Sequence, residues 1–334
     1  MMKRFFSLLV AVGAFTAASL AQNSLVVTLT HSGKITTYYG ASAFSEAYTA
    51  AAEGDVITLS AGEFTAVDLE KAVTIRGAGM QMTGEQPTVL SGAFTMNLPS
   101  GTNKTLTLEG VECMHDVNVY GTNNMEAATI LKCYFNGQVT CANSSPTFIH
   151  CVFPSALIST RSWNGSDTNN TNVKCISCVV YNARSDGSAN NALAKFDMEN
   201  CYVAGEPYVG ALLFSTVKNC IIRSGWGAYG FDHFITNSLC FGEGFDNISK
   251  ETNIFYTGEW SDIFKTFTGS NFGLENYELT DEAKAQYLGA DGTQVGIYGG
   301  QYPFDPTPST AQVKKFDVST STTDGKLNVK INVE

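Results

Sequence analysis

Between Phe196 and Tyr256 a short apolar run, a polar bend and a second apolar run recur as one phrase. It reads Met198-Glu199-Asn200-Cys201-Tyr202-Val203, then Val217-Lys218-Asn219-Cys220-Ile221-Ile222, then Ile235-Thr236-Asn237-Ser238-Leu239-Cys240, then Glu251-Thr252-Asn253-Ile254-Phe255-Tyr256. The Asn residues are 19, 18 and 16 apart. A period near 20 with little helical patterning predicts a solenoid, in which each repeat buries its apolar face against the next. The frame reads upstream at residues 130–135, 148–153 and 175–180, and residues 108–113 begin it. Two short strands are expected to meet at the Asn column, because Asn tolerates the left-handed backbone a sharp bend needs. Gly110, in the same column, suits that need better still. Stacked Asn side chains are expected to hydrogen-bond from coil to coil.

The next column is Val111, Cys133, Cys151, Cys178, Cys201, Cys220, Ser238, Ile254, small or apolar and so expected to point inward. The column after that is Tyr134, Val152, Val179, Tyr202, Ile221, Leu239, Phe255. Strand alternation turns it outward, yet every member is apolar. Such a stripe needs a cover. Residues 257–308 are the expected cover, and a partner subunit bound through the stripe is the alternative.

Upstream, Leu25 to Leu29 and Ile35 to Tyr39 read as a hairpin around His31-Ser32-Gly33-Lys34. Ser42 is placed to cap a short helix with Phe44, Ala47, Tyr48 and Ala51 on one face. A second helix fits residues 280–288. Then follow Glu53-Gly54-Asp55-Val56-Ile57-Thr58-Leu59-Ser60-Ala61-Gly62-Glu63-Phe64-Thr65 and Val73-Thr74-Ile75-Arg76-Gly77-Ala78-Gly79. This order resembles the N-terminal cap and first coil of pectin-lyase-like proteins, and the Asn ladder is similar to one at a bend of that fold. The resemblance covers most of residues 40–300. It implies an all-β, single-stranded right-handed parallel β-helix with an N-terminal hairpin and helix cap. It does not fix function, because the fold hosts lyases, hydrolases, esterases, adhesins and inert spikes. Residues 277–304 likewise look like the closing segment of exported bacterial β-helix proteins. Asp305-Pro306-Thr307-Pro308-Ser309 reads as a stiff linker. Residues 311–334 read as a β-hairpin tail around Asp324-Gly325.

Residues 1–21 look like a signal peptide: Lys3 and Arg4, an apolar run from Phe5 to Phe15, then Ser19-Leu20-Ala21 as a cleavage site. The expected domains are therefore 1–21 leader, 22–304 β-helix with its cap, 305–310 linker and 311–334 tail. No Cys follows the cleavage site, which speaks against a lipid anchor, and no later run is long and apolar enough to span a membrane. A secreted, periplasmic or cell-surface location is expected. The formal charge of −11, more negative once Lys3 and Arg4 leave, disfavours nucleic acid and anionic membranes as partners. Nine Cys in an exported chain raise the question of disulfides. Five share one ladder column, however, and side chains stacked at about 4.8 Å on parallel rungs have poor geometry for a bridge. They are expected to be buried free thiols used as small hydrophobes.

Chemistry is harder to find. Polygalacturonase-type and pectin-esterase-like motifs are absent. A calcium-dependent lyase would need carboxylates on neighbouring coils and a basic residue to take the α-proton. The available groups are Asp197, Glu199 and Asp232 with Lys195, Lys218 and Arg223. The Gly-rich connection Arg223 to His233 joins a cation, Trp226, Tyr229, Asp232 and His233, which suits sugar contact by stacking and hydrogen bonding. Trp163 lies in a second polar loop. With four His in the chain, no metal site is expected, and calcium enters only if the protein is a lyase. Three functions follow. The first is a non-catalytic exported protein that binds polysaccharide or cell-surface glycan, or acts in adhesion. The second is a polysaccharide lyase or glycoside hydrolase with a divergent site. The third is a structural surface or assembly protein.

Overall fold

The structure, a computed structural model, describes residues 25–81, 86–98, 105–125, 128–160, 171–184, 194–204, 215–223, 234–241, 248–269, 271–309, 313–318 and 329–333. It is a parallel β-helix. Strands β1 (Val26–His31) and β2 (Lys34–Tyr39) form the antiparallel hairpin at one end, and β1 pairs onward with Val56–Leu59. From there one sheet runs in parallel register through Thr74–Arg76 and Leu106–Glu109 to Phe234–Thr236. A second sheet runs alongside it from Gly62–Thr65 to Ile254–Tyr256. A shorter set, Phe94–Leu98, Val117–Met125 and Val139–Ser144, closes part of a third side.

The core is a stack of registered rows. In the first sheet Ile57, Ile75, Leu108, Ile130, Phe148, Cys175, Met198, Val217 and Ile235 lie one above another, all buried. Helix α1 (Ala43–Ala50) closes the first coil, its buried Phe44 meeting Phe64 edge-on at 6.5 Å. The Lys71 amine gathers the carbonyls of Tyr48, Thr49 and Ala51 at the helix end, satisfying acceptors the helix leaves open. Ser42 does not cap backbone; its hydroxyl donates to Glu46 Oε1 at 2.6 Å instead.

The bend column is left-handed throughout. Lys132, His150, Ser177, Asn200, Asn219 and Asn237 have φ between 48° and 56°, and Gly110 has 65°. The frame ends there. Leu239 pairs with Ile254, so Asn253 lies beneath Ser238 in the thiol column, one place from the expected bend position. Its Oδ1 accepts the Ser238 N–H at 3.0 Å and its Nδ2 donates to the Ile235 carbonyl at 2.7 Å.

That contact explains the column. After a left-handed bend the next N–H points inward, away from the sheet ladder. Cys178 Sγ accepts it from Cys151, Cys220 Sγ from Cys201 and Ser238 Oγ from Cys220. Each thiol in turn donates to a carbonyl two residues back, at 3.2 Å for Cys133 and Cys220. The position therefore selects small side chains that both donate and accept, which is more than the small hydrophobe expected. All nine Cys are free and buried.

The apolar stripe is covered by the chain itself. Tyr134, Val152, Val179, Tyr202, Ile221 and Leu239 pack against Phe264, Tyr277, Leu279, Tyr287, Val295 and Ile297. The stripe is thus occupied by the cover expected from residues 257–308. The last residues then run back along the bends as a strap. Asn219 Oδ1 accepts from Ala290 N at 2.9 Å, and Gly300 lies against the Asn200 amide. His150 Nε2 and Ser177 Oγ meet the Tyr302 carbonyl at 3.1 and 2.6 Å. Lys132 pairs with Asp305 at 3.0 Å, Pro308 sits over Gly110, and Ser309 N donates to Glu109 at 3.0 Å. Among the described residues no bond joins one bend Asn side chain to another; Asn200 and Asn219 face the strap. Residues 305–309, read as a stiff linker, are held against the bends by these contacts. Gly300, at φ 74°, has no room for a side chain against Asn200. Gly300→Val is expected to cost about 2–3 kcal/mol and to expose the strap to protease, read by urea melts and limited proteolysis. In the tail, Val313–Val318 and Val329–Val333 pair antiparallel.

Candidate functional site

The cover is built from two short helices and the segments between them. Helix α2 (Trp260–Ile263) begins with a reciprocal cap between Glu259 and Asp262. Helix α3 (Asp281–Gln286) is capped by Thr280, whose hydroxyl accepts the Ala283 N–H at 3.2 Å. Glu275, buried between them, accepts from Thr268 N at 2.9 Å and Thr268 Oγ1 at 2.5 Å, fixing the turn before Tyr277. Tyr277 donates to the Phe272 carbonyl at 2.6 Å.

Between residues 274–284 and 294–306 these segments leave an open cleft of about 630 Å³. Leu274, Tyr298, Pro303 and Pro306 give it apolar walls, and Asn276, Glu278, Lys284 and Gln294 supply polar groups. The Tyr298 ring stands edge-on to buried Phe304 at 6.2 Å, and burial pushes its phenol pKa up. Glu278 Oε1 receives both Lys265 and Lys284 at 2.8 Å. Those hydrogen bonds pull its carboxyl down to about 2, so it is ionised at any ordinary pH. Asp281 stands 3.5 Å from Lys265. A glycosidase acid needs a raised pKa in an apolar setting. This carboxylate is held the opposite way, as a fixed acceptor.

The residues expected to act together divide between two sheets. Lys195, Asp197, Glu199 and Lys218 lie on the outer face of the first sheet. Lys218 Nζ is 3.8 Å from Glu199 Oε1, both half-exposed, while Asp197 lies in register with Lys174 and Lys195 with Asn172. Asp197 and Glu199 each lie opposite a lysine of a neighbouring strand, Lys174 and Lys218. Arg223 belongs to the second sheet, where its guanidinium lies 5.5 Å from the Trp260 ring and 5.1 Å from Phe272. It pins the cover to the helix and is separate from the lysines. Trp163, Trp226, Tyr229, Asp232 and His233 lie outside the described residues. Among the described residues no three His, Cys, Asp or Glu side chains converge as a metal site, and no helix is long and apolar enough to cross a membrane.

Sequence reasoning passed over Glu278, Lys284, Gln294 and Tyr298. The signal available was the run of Tyr298, Tyr302, Pro303 and Phe304 beside an amphipathic helix. No protein-family model matches this sequence, and no curated protein matches it.

Proposed function

We propose that this is an exported, pectin-lyase-like β-helix protein that binds glycan without cleaving it, and that the cleft of the C-terminal cover holds the sugar. Export rests on the leader-like residues 1–21, and kinship on the cap and Asn-ladder phrases. The observation that carries binding is the pairing of a Tyr298 and proline wall with a carboxylate already committed to two lysines. Aromatic and proline faces take the apolar side of a pyranose, while Glu278, Gln294, Asn276 and Lys284 address its hydroxyls.

The test is titration calorimetry of the mature protein against neutral and acidic oligosaccharides, following an array screen. Tyr298→Ala and Lys284→Ala are each expected to weaken binding about tenfold, roughly 1.4 kcal/mol, with unchanged circular dichroism. Binding that ignores both substitutions would move the site elsewhere. The Glu199–Lys218 pair favours a second reading, a lyase. An unsaturated product formed by the native protein and lost in Lys218→Ala would establish it in place of the first.

A further inference from the structure

Strand β2 is the outermost strand of the first sheet, and no described strand pairs with its outer edge. Every residue from Lys34 to Thr37 is exposed, as is Tyr39. Ile35 at 69% and Tyr39 at 67% are the two most exposed large apolar side chains among the described residues. A long exposed edge of this kind is a template for another strand.

The hairpin geometry identifies which backbone groups are free. The loop has two residues, Ser32 and Gly33, both at positive φ, and His31 pairs directly with Lys34. In such a hairpin the pair flanking the loop exchanges hydrogen bonds, and alternate pairs follow. Lys34, Thr36 and Tyr38 therefore bond to β1. Ile35, Thr37 and Tyr39 turn their N–H and C=O groups to the open edge. The same three side chains share the outer face, opposite Thr30, Thr28 and Val26 of β1.

We propose that β2 pairs antiparallel with β2 of a second copy, centred on Thr37. Only odd-numbered residues can meet odd-numbered ones, since only they carry free backbone groups. With Thr37 opposite Thr37, Ile35 faces Tyr39 and Tyr39 faces Ile35. These are a hydroxyl pair and two aromatic–β-branched pairs, each favourable across strands. Lys34 meets Gly40, so no like charges oppose. The arrangement is isologous, as a two-fold dimer requires. Charge favours this edge as well. The chain carries −11, yet residues 22–45 contain no Asp or Glu and include Lys34, so two copies meet here with least repulsion. Six residues a side bury less than about 1,200 Å², so the dimer is weak and concentration-dependent.

Sedimentation equilibrium of the mature protein tests this. The expected result is a monomer–dimer equilibrium in the native protein. Thr37→Pro removes one outward N–H, spares every bond to β1, and is expected to weaken dimerisation at least about tenfold. The double variant I35K/Y39K sets like charges opposite each other without touching the backbone, and is expected to do the same. Circular dichroism of each variant confirms the fold. A native protein that stays monomeric at submillimolar concentration overturns the proposal, as does a dimer that persists in a folded variant.

Discussion

Phe148→Ala is expected to remove about 3–5 kcal/mol of stability, the largest loss any single core truncation should give here. Phe148 is fully buried in the inward row of the first sheet, between Ile130 below and Cys175 above. It stands edge-on to Phe153 at 5.5 Å and to Phe135 at 6.0 Å, while those two stack at 5.0 Å. The three rings fill two adjacent levels of the coil from both sheets. The cavity left would be lined by Phe135, Phe153, Ile130 and Cys175, each on a strand held in register by its neighbours, so collapse is restricted and the cavity term stays large. The site is also central. In a solenoid each coil touches mainly its neighbours, so a void at mid-length weakens the coupling between the two ends. Urea unfolding of the mature protein gives the loss, and a broadened or two-step transition is the expected secondary sign. A cost below about 1 kcal/mol would contradict a packed core at this level.

The second large effect concerns the thiols. All nine are expected to resist an aromatic disulfide reagent in the native protein and to react together on unfolding. Burial alone blocks access to all nine, and in five of them it also suppresses the thiolate that would react. It pushes Cys113, Cys141, Cys151 and Cys201 up, and raises Cys240 to about 12. Labelling then requires opening, whose population in a stable domain is about 10⁻³ or less. Relative to urea-unfolded protein, labelling should slow by at least about a thousandfold. Unfolding in air should be irreversible, because nine exposed thiols pair at random, and refolding should recover with a reductant present. One thiol that labels rapidly in the native state would place that rung at the surface.

The repeat was legible because it is local. A bend residue, a small residue and an apolar residue every twenty positions specify a stack without reference to any distant contact. One slip, Asn253, came from reading the repeated letter. The position, set by Leu239 opposite Ile254, assigns that Asn to the thiol column, where its amide supplies the same donor and acceptor as a thiol. The cover was legible as a need, from a row of apolar side chains turned outward. The strap and the cleft were not. They join residues 274–284 to 294–306 and residues 290–309 to bends as distant as Gly110, by contacts that follow no period. The charged candidates failed differently. Nearness in sequence placed Arg223 beside Lys218, but five residues across a bend carry the chain to another sheet.

The strap also sets the length of the molecule. It meets Asn219, Asn200, Ser177, His150, Lys132 and Gly110 in that order, each on its own coil, about 4.8 Å from the last. A bare solenoid lengthens or shortens by whole repeats, because every interface resembles the next. Here an inserted or deleted coil between Gly110 and Asn219 would set every later anchor one rung out of step with its partner. The segment acts as a ruler laid against the stack, and the number of coils becomes a fixed quantity. Growth in this protein is left to connections other than the bends, since the anchors sit on the bends.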